Sequence, residues 1–212
     1  MAEDRTVKQT RRDAILDAAE TLFAVHGFDG VSMRMVADAA PVGLGLVTYH
    51  FPTKDVLFEE VVARRADILN AARRDSLGAL GTATLEQLLH AFFQPYVLLI
   101  ERAPGNWRAY ARLHAMLTQD ARWTGLATRH FGSVATDMIK RIMIAEPRLD
   151  QPTAARGYVL LIGTMVSVFA DTRLVDYFSN GVLTSHDVAG SLDPMVRFGA
   201  AGIRALACPT RS

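Results

Sequence analysis

The chain has little that would mark a secreted, membrane-bound or metal-dependent protein. Cys208 is the only cysteine among its 212 residues, which leaves no disulfide framework and no Cys-based metal site within the chain. A reducing compartment is therefore expected. Eight prolines and fifteen glycines are too few for a disordered or collagen-like polymer. Met1-Ala2-Glu3-Asp4-Arg5 is polar and leads into no apolar run, so no signal peptide is expected and a soluble cytoplasmic protein is. The longest stretch free of charged residues and histidine, Gly157 to Ala170, lies between Arg156 and Asp171. A membrane span needs about 20 apolar residues, so this stretch reads as a buried helix.

Charge of one sign is also missing. The chain carries +1 overall, and residues 1–80 hold ten Lys/Arg against twelve Asp/Glu, or −2. Any affinity for nucleic acid must then come from a local patch. Catalytic signatures are absent: there is no Gly-x-Ser-x-Gly, no His-Glu-x-x-His and no phosphate loop. Gly43-x-Gly45 lacks the third glycine and preceding strand of a dinucleotide fingerprint, since Thr48 stands in its place. The histidines at 26, 50, 90, 114, 130 and 186 show no ligand spacing. Neither an enzyme, nor a cofactor, nor a metal is expected.

Half the residues are apolar, enough for a substantial core, and they recur at helical spacing almost throughout. The expected fold is all-α, with about nine helices in all. The first begins near Thr10, buries Ile15, Ala19, Leu22 and Phe23, and stops at Gly27, with Phe28 packing back on its last turn. Ser32 caps a short helix with Val36 and Ala37 inward, ended by Pro41. A second short helix runs from about Leu44 to Phe51. Thr53 caps a long one whose apolar positions are read as Val56, Leu57, Val61, Ile68 and Leu69. Beyond Gly81, Thr84 with Gln87 forms a capping box for a helix to about Arg102, and Ala103-Pro104-Gly105 reads as a turn. Helices over 107–118, 121–145, 152–174 and 185–207 complete the chain, the last capped by Ser185.

Two short helices joined by a tight turn, 32–54, fit a helix-turn-helix whose second helix enters a major groove. Gly43, Leu44 and Gly45 open that second helix, where backbone can approach phosphates closely. Thr48, Tyr49 and His50 offer polar tips, while Val47 and Phe51, one turn apart, face the core. Lys54 stands at the next helix start as a candidate phosphate contact, and Arg34 on the first helix is another. Arg5, Lys8, Arg11 and Arg12 form a basic N-terminal cluster.

Residues 8 to about 68 resemble the DNA-binding part of the tetracycline-repressor (TetR) family of regulators. The likeness rests on Ala18-Ala19 through Phe23, Gly27-Phe28, Ser32, Val36-Ala37, Ala40, Val42, Gly45, Val47, His50-Phe51, Lys54 and Leu57. Pro41 departs from the usual Gly, Gly43 from a common Ser, and Thr48 from a Tyr that often touches phosphate. The resemblance implies a three-helix DNA-binding domain over 1–53 and a larger ligand-binding and dimerisation bundle over 54–212. It also implies double-stranded operator DNA as partner, a homodimer formed by the last two long helices, and a repressor released by a small molecule.

In the C-terminal half, Phe93, Tyr96, Trp107, Tyr110, Met116, Phe131, Met165 and Phe169 could be core or could line an apolar pocket, with Arg112 and His114 as nearby polar partners. Gly163, Thr164, Ser167 and Ala170 are small residues that allow close helix packing, within the monomer or between copies. Asp193 to Ala205 and the run Val47-Thr-Tyr-His-Phe51 resemble members that sense fatty acids or their thioesters, which implies an apolar or amphipathic effector. Two rivals stand beside this reading: a carrier or enzyme retaining an inert helix-turn-helix, and a ligand-free structural DNA binder.

Overall fold

The computed structural model describes the backbone of residues 2–207 and the side chains of 11–207. Cys208 and the side chains of Arg5 and Lys8 lie outside the described residues. Ten α-helices and one 3₁₀ turn make up the described residues, with no strand among them. The helices are α1 (Ala2–His26), α2 (Met33–Ala39), α3 (Leu44–His50), α4 (Lys54–Gly78) and α5 (Leu85–Arg102), followed by α6 (Pro104–Gln119), α7 (Thr124–Ala145), α8 (Gln151–Phe169), α9 (Leu174–Phe178) and α10 (Leu192–Leu206).

Local chemistry sets most of the ends. Gly27 takes φ +68° after α1, the left-handed conformation a glycine adopts at no steric cost. Phe28 then folds back so that its ring lies 6.0 Å from that of Phe23. Ser32 accepts the Met35 N–H, Thr53 the Val56 N–H, and Thr84 and Gln87 complete their reciprocal box. Pro41 lies in the α2–α3 turn, where the resembled family usually has Gly.

Several boundaries differ from the expectation. α1 starts at Ala2 rather than Thr10, for the intervening residues hold no Gly or Pro to stop it. Ala103-Pro104-Gly105 is not a free turn: Pro104 opens α6, a position where its missing N–H costs nothing. α8 ends at Phe169, not Leu174, since Asp171 and Arg173 take φ +55° and +63°. Residues 174–178 form the separate α9. Ser185 caps no helix. It donates to the Asp176 carboxylate, and α10 begins at Leu192, where Pro194 falls in the first turn instead of breaking an interior.

The core is continuous from the small N-terminal helices into the bundle. Val47 and Phe51 of the α3 segment are fully buried, as are Leu57, Val61 and Leu69 of α4. Two positions assigned to the α4 core, Val56 and Ile68, are instead 41% and 44% exposed. The buried stripe runs through Phe58, Val62, Ala66, Asn70, Arg73 and Leu77. Phe28, Phe58 and Trp123 meet edge to face or tilted at 4.7–5.2 Å between centroids, joining the α1–α2 turn and α4 to the bundle. α8 and α10 approach so closely that a Cβ on Gly199 would come within 2.5 Å of Leu161 Cδ2. Their outward faces carry the exposed Val159, Leu160 and Phe198.

Candidate nucleic-acid interface and cavity

α3 has two unlike faces. Leu44, Gly45, Thr48 and Tyr49 follow i, i+1, i+4, i+5 spacing and all are exposed, Tyr49 to 65%. Val47 lies on the opposite face at 0%. An exposed tyrosine on a helix anchored by one buried valine and Phe51 is a presented side chain, not a core residue turned out. Gly43 and Gly45 have open space where a Cβ would stand, so the backbone can be approached closely. The Thr48 hydroxyl donates back to its own helix at 3.2 Å, with its oxygen still able to accept. His50 is half-buried, its ring 5.3 Å from Tyr49 and 6.1 Å from Phe51. Arg34 is exposed on α2, and Arg11 on α1. Arg12 is committed to Glu60 at 2.7 Å.

Lys54 is placed differently from the expectation. Its ammonium donates to the Phe28 and Val31 carbonyls, both at 3.0 Å, and stands 4.3 Å from the centre of the Phe28 ring. Two of its three donors thus close the α1–α2 turn onto the start of α4. Hydrogen bonds from a charged donor contribute about 1.5–3 kcal/mol. Lys54→Met is accordingly expected to lower unfolding stability by about 2 kcal/mol while barely changing the salt dependence of DNA binding. Urea titration and binding at three salt concentrations check this; a salt slope reduced by about one unit with stability intact would return Lys54 to the phosphate backbone.

A cavity of about 380 Å³ lies between α4, α6, α7 and α8. It falls within the range of small-molecule sites. Leu117, Phe131, Ile162 and Val166 form apolar walls, and Thr118, Gln119, Thr124 and Thr128 lie toward the surface. Of the ten residues expected to bind ligand, His114 and Phe131 line it. Their rings stack at 4.7 Å with 12° between planes. Phe93, Tyr96, Tyr110, Met165 and Phe169 are core, buried to within 1%, and Trp107 is nearly so. These large side chains fill the bundle rather than wall its cavity. Met116 is half-buried outside the lining, and Arg112 is a surface residue 3.7 Å from Asp171.

Among the lining residues that sequence reading missed, Arg73 is the charged one. It is 1% exposed yet borders the cavity. Its Nε donates to the Phe92 carbonyl at 3.2 Å, its Nη2 points at Met165 Sδ at 3.1 Å, and its guanidinium covers the Phe92 ring at 4.0 Å. Pro95 within α5 has no N–H for the preceding turn, and the Phe92 carbonyl beside that defect is the one Arg73 uses. Burial pulls the Arg73 pKa down from its usual value. His114 is driven down to about 3 by burial and by the nearby Arg73 charge, so it is neutral at physiological pH. Burial raises the Tyr96 and Tyr110 hydroxyls well above the ordinary phenol range.

Comparison with known proteins fits both regions. Residues 15–61 match the family described as bacterial regulatory proteins, tetR family, and residues 90–202 match the tetracyclin repressor-like C-terminal domain. The chain is 30% identical over 150 residues to the HTH-type transcriptional repressor KstR of Mycolicibacterium smegmatis, covering 70% of this chain and 71% of that one. It is 34% identical over 95 residues to the repressor KstR2 of Rhodococcus jostii, covering 44% of this chain and 47%, about half, of that protein. Among solved structures, the fatty acid degradation regulator FadR from Bacillus halodurans superposes with a TM-score of 0.66 at 14% identity, covering 92% of this chain and 96% of its own. A TetR-like regulator from Rhodococcus sp. RHA1 gives 0.63 at 19%, covering 91% and 96%. At those identities the structures attest the fold alone.

Proposed function

The chain belongs to the tetracycline-repressor family of bacterial regulatory proteins, and from that premise we propose that it is a cytoplasmic transcriptional repressor released from its operator by a small apolar or amphipathic molecule. The reading is carried by the joining of an exposed α3 to a cavity through one rigid helix. α4 begins at Lys54, which holds the α1–α2 turn, and passes the cavity at Arg73. Nineteen residues at 1.5 Å each separate those points by roughly 28 Å. Arg64 and Arg65 on α4 grip Glu20 of α1 at 2.6 and 2.8 Å, so the small N-terminal helices follow any tilt of α4. A ligand that favours one α4 position thereby favours one orientation of α3.

The division at 53/54 follows from this: residues 1–53 read DNA, and 54–212 bind the effector and dimerise. Tyr49, Thr48, Leu44 and the Gly43–Gly45 backbone are assigned to groove or phosphate contacts, with His50 and Arg34 at the edges. Homodimerisation uses the outward faces of α8 and α10, where Val159, Leu160 and Phe198 are 58–69% exposed. A two-fold dimer reads half-sites about one helical turn apart, roughly 34–36 Å, or a multiple of it. The relatives' description as repressors supports that sign of regulation.

Thermodynamic reciprocity provides the test. An effector that weakens operator binding tenfold needs about 1.4 kcal/mol of preference between the two states, and saturating operator must weaken the effector by the same factor. Candidate molecules are titrated against the protein–DNA complex with direct binding in parallel. Ligands that occupy the cavity and leave operator affinity unmoved would favour the carrier reading instead.

A further inference from the structure

Arg73 is a buried cation without a matching anion. No carboxylate is among the charges that act on it, and Glu20, which acts on the neighbouring Tyr96 and Tyr110, is already paired with Arg64 and Arg65. No ion pair to Arg73 exists among the described residues, and its neighbours by charge are the phenols Tyr158, Tyr96 and Tyr110. One backbone carbonyl and one thioether occupy two of its five donors. A thioether is a weak acceptor. Burying a guanidinium in this way is costly unless something supplies the opposite charge.

The groups around it are of the same character. His114, 3% exposed and lining the cavity, has Nδ1 without a hydrogen-bond partner among the described residues. Behind it the hydroxyls of Tyr96 and Tyr110, both fully buried, are likewise unpaired. The Tyr96, Tyr110 and His114 rings lie 5.9–6.2 Å apart, and the Arg73 guanidinium is 5.9 Å from the Tyr96 ring. All of these can donate a hydrogen bond, and no carboxylate answers them. Tyr158 adds a further phenol beside Arg73, and the rest of the wall is apolar up to a mouth of Thr118, Gln119, Thr124 and Thr128.

We propose that the cavity takes a small carboxylate on an apolar body, entering head first, with Arg73 as its counter-ion and the His114 imidazole as a second donor. The proposal rests on the reading of this cavity as the effector site and narrows it to an inward-facing anion. Neutral apolar molecules of the same shape leave Arg73 uncompensated and bind less well. A charge-assisted hydrogen bond to a desolvated carboxylate gives roughly tenfold to a hundredfold preference over the uncharged isostere.

The test compares dodecanoate with dodecanamide and 2-naphthoate with 2-naphthamide on the full-length protein, using calorimetry or displacement of a fluorescent apolar probe. The alkyl and aromatic pairs distinguish the two kinds of body. At least one acid is expected to bind at least tenfold more tightly than its amide. Arg73→Met is expected to fold, since an apolar residue of similar volume removes the buried charge, and to reduce the acid preference to about twofold or less. Arg73→Lys is expected to restore part of it. Equal binding of acids and amides to the unmodified protein, binding of neither acid, or a preference untouched by Arg73→Met each overturns the proposal. Operator release by the amides as strongly as by the acids would do so too, while leaving the repressor reading in place. If Arg73→Met does not fold, the acid–amide comparison on the unmodified protein decides.

Discussion

Glu20→Ala is expected to remove about 3–5 kcal/mol of stability, the cost of leaving buried charges without their partner. Glu20 is 1% exposed on α1. It accepts from Arg65 Nε at 2.9 Å and Nη2 at 2.8 Å, and from Arg64 Nη2 at 2.6 Å. The side chains of Arg64 and Arg65 are only 22% and 11% exposed, so solvent cannot take over the carboxylate's role. Asp17 remains near Arg64 at 2.8 Å but is 3.9 Å from Arg65, which leaves Arg65 the more exposed to the loss. That arginine also covers the Trp107 ring at 5.3 Å, so its displacement disturbs α6 as well. Against a total of about 5–15 kcal/mol for an ordinary domain, the variant should be markedly less stable. Urea unfolding checks the value. A loss below about 1 kcal/mol would mean that α1 is held to α4 by apolar packing alone, and the charge link in the proposed coupling would fall.

What could be read in advance follows the range of the interactions involved. Gly27, Ser32, Thr53 and the Thr84–Gln87 box mark helix ends through contacts spanning three or four residues, and the structure places each end there or within a residue. Lys54 lay beyond that horizon: its partners are the carbonyls of Phe28 and Val31, 26 and 23 residues earlier. Ser185 failed for the same reason, since Asp176 claims its hydroxyl. The end of α8 depends on Asp171, whose nearly buried carboxylate lies near both Arg112 and His186. No local pattern announces such a pairing.

The cavity shows the other limit. Large aromatic residues are the natural candidates for its lining, yet Tyr96, Tyr110 and Phe169 fill the bundle and a mostly different set surrounds the open space. One signal was present. Ala66, Leu69, Asn70, Arg73 and Leu77 keep helical spacing, which puts an arginine on the apolar stripe of α4. Val56 and Ile68, apolar by type, are exposed and lie off that stripe, whereas Leu57, Val61 and Leu69 are on it.

The central claim is that α3 reads DNA, and selection of binding sites from genomic fragments tests it directly. Leu44, Thr48 and Tyr49 are presented by a helix whose inner face is fixed by Val47, so their loss should alter recognition without unfolding the protein. A good base contact is worth about 1–3 kcal/mol. Removing two side chains in each protomer of a dimer should therefore weaken a specific site by at least a hundredfold, roughly 3 kcal/mol. Non-specific binding, set by phosphate charge, should change far less. The measurement is affinity of the unmodified protein and of Thr48→Ala/Tyr49→Ala for the selected site and for unrelated DNA, at one fixed salt concentration. The account predicts a palindromic site bound by the unmodified protein, a loss of at least a hundredfold in the variant, and equal folding of both. No sequence preference in the unmodified protein, or an unchanged preference in the folded variant, would contradict it.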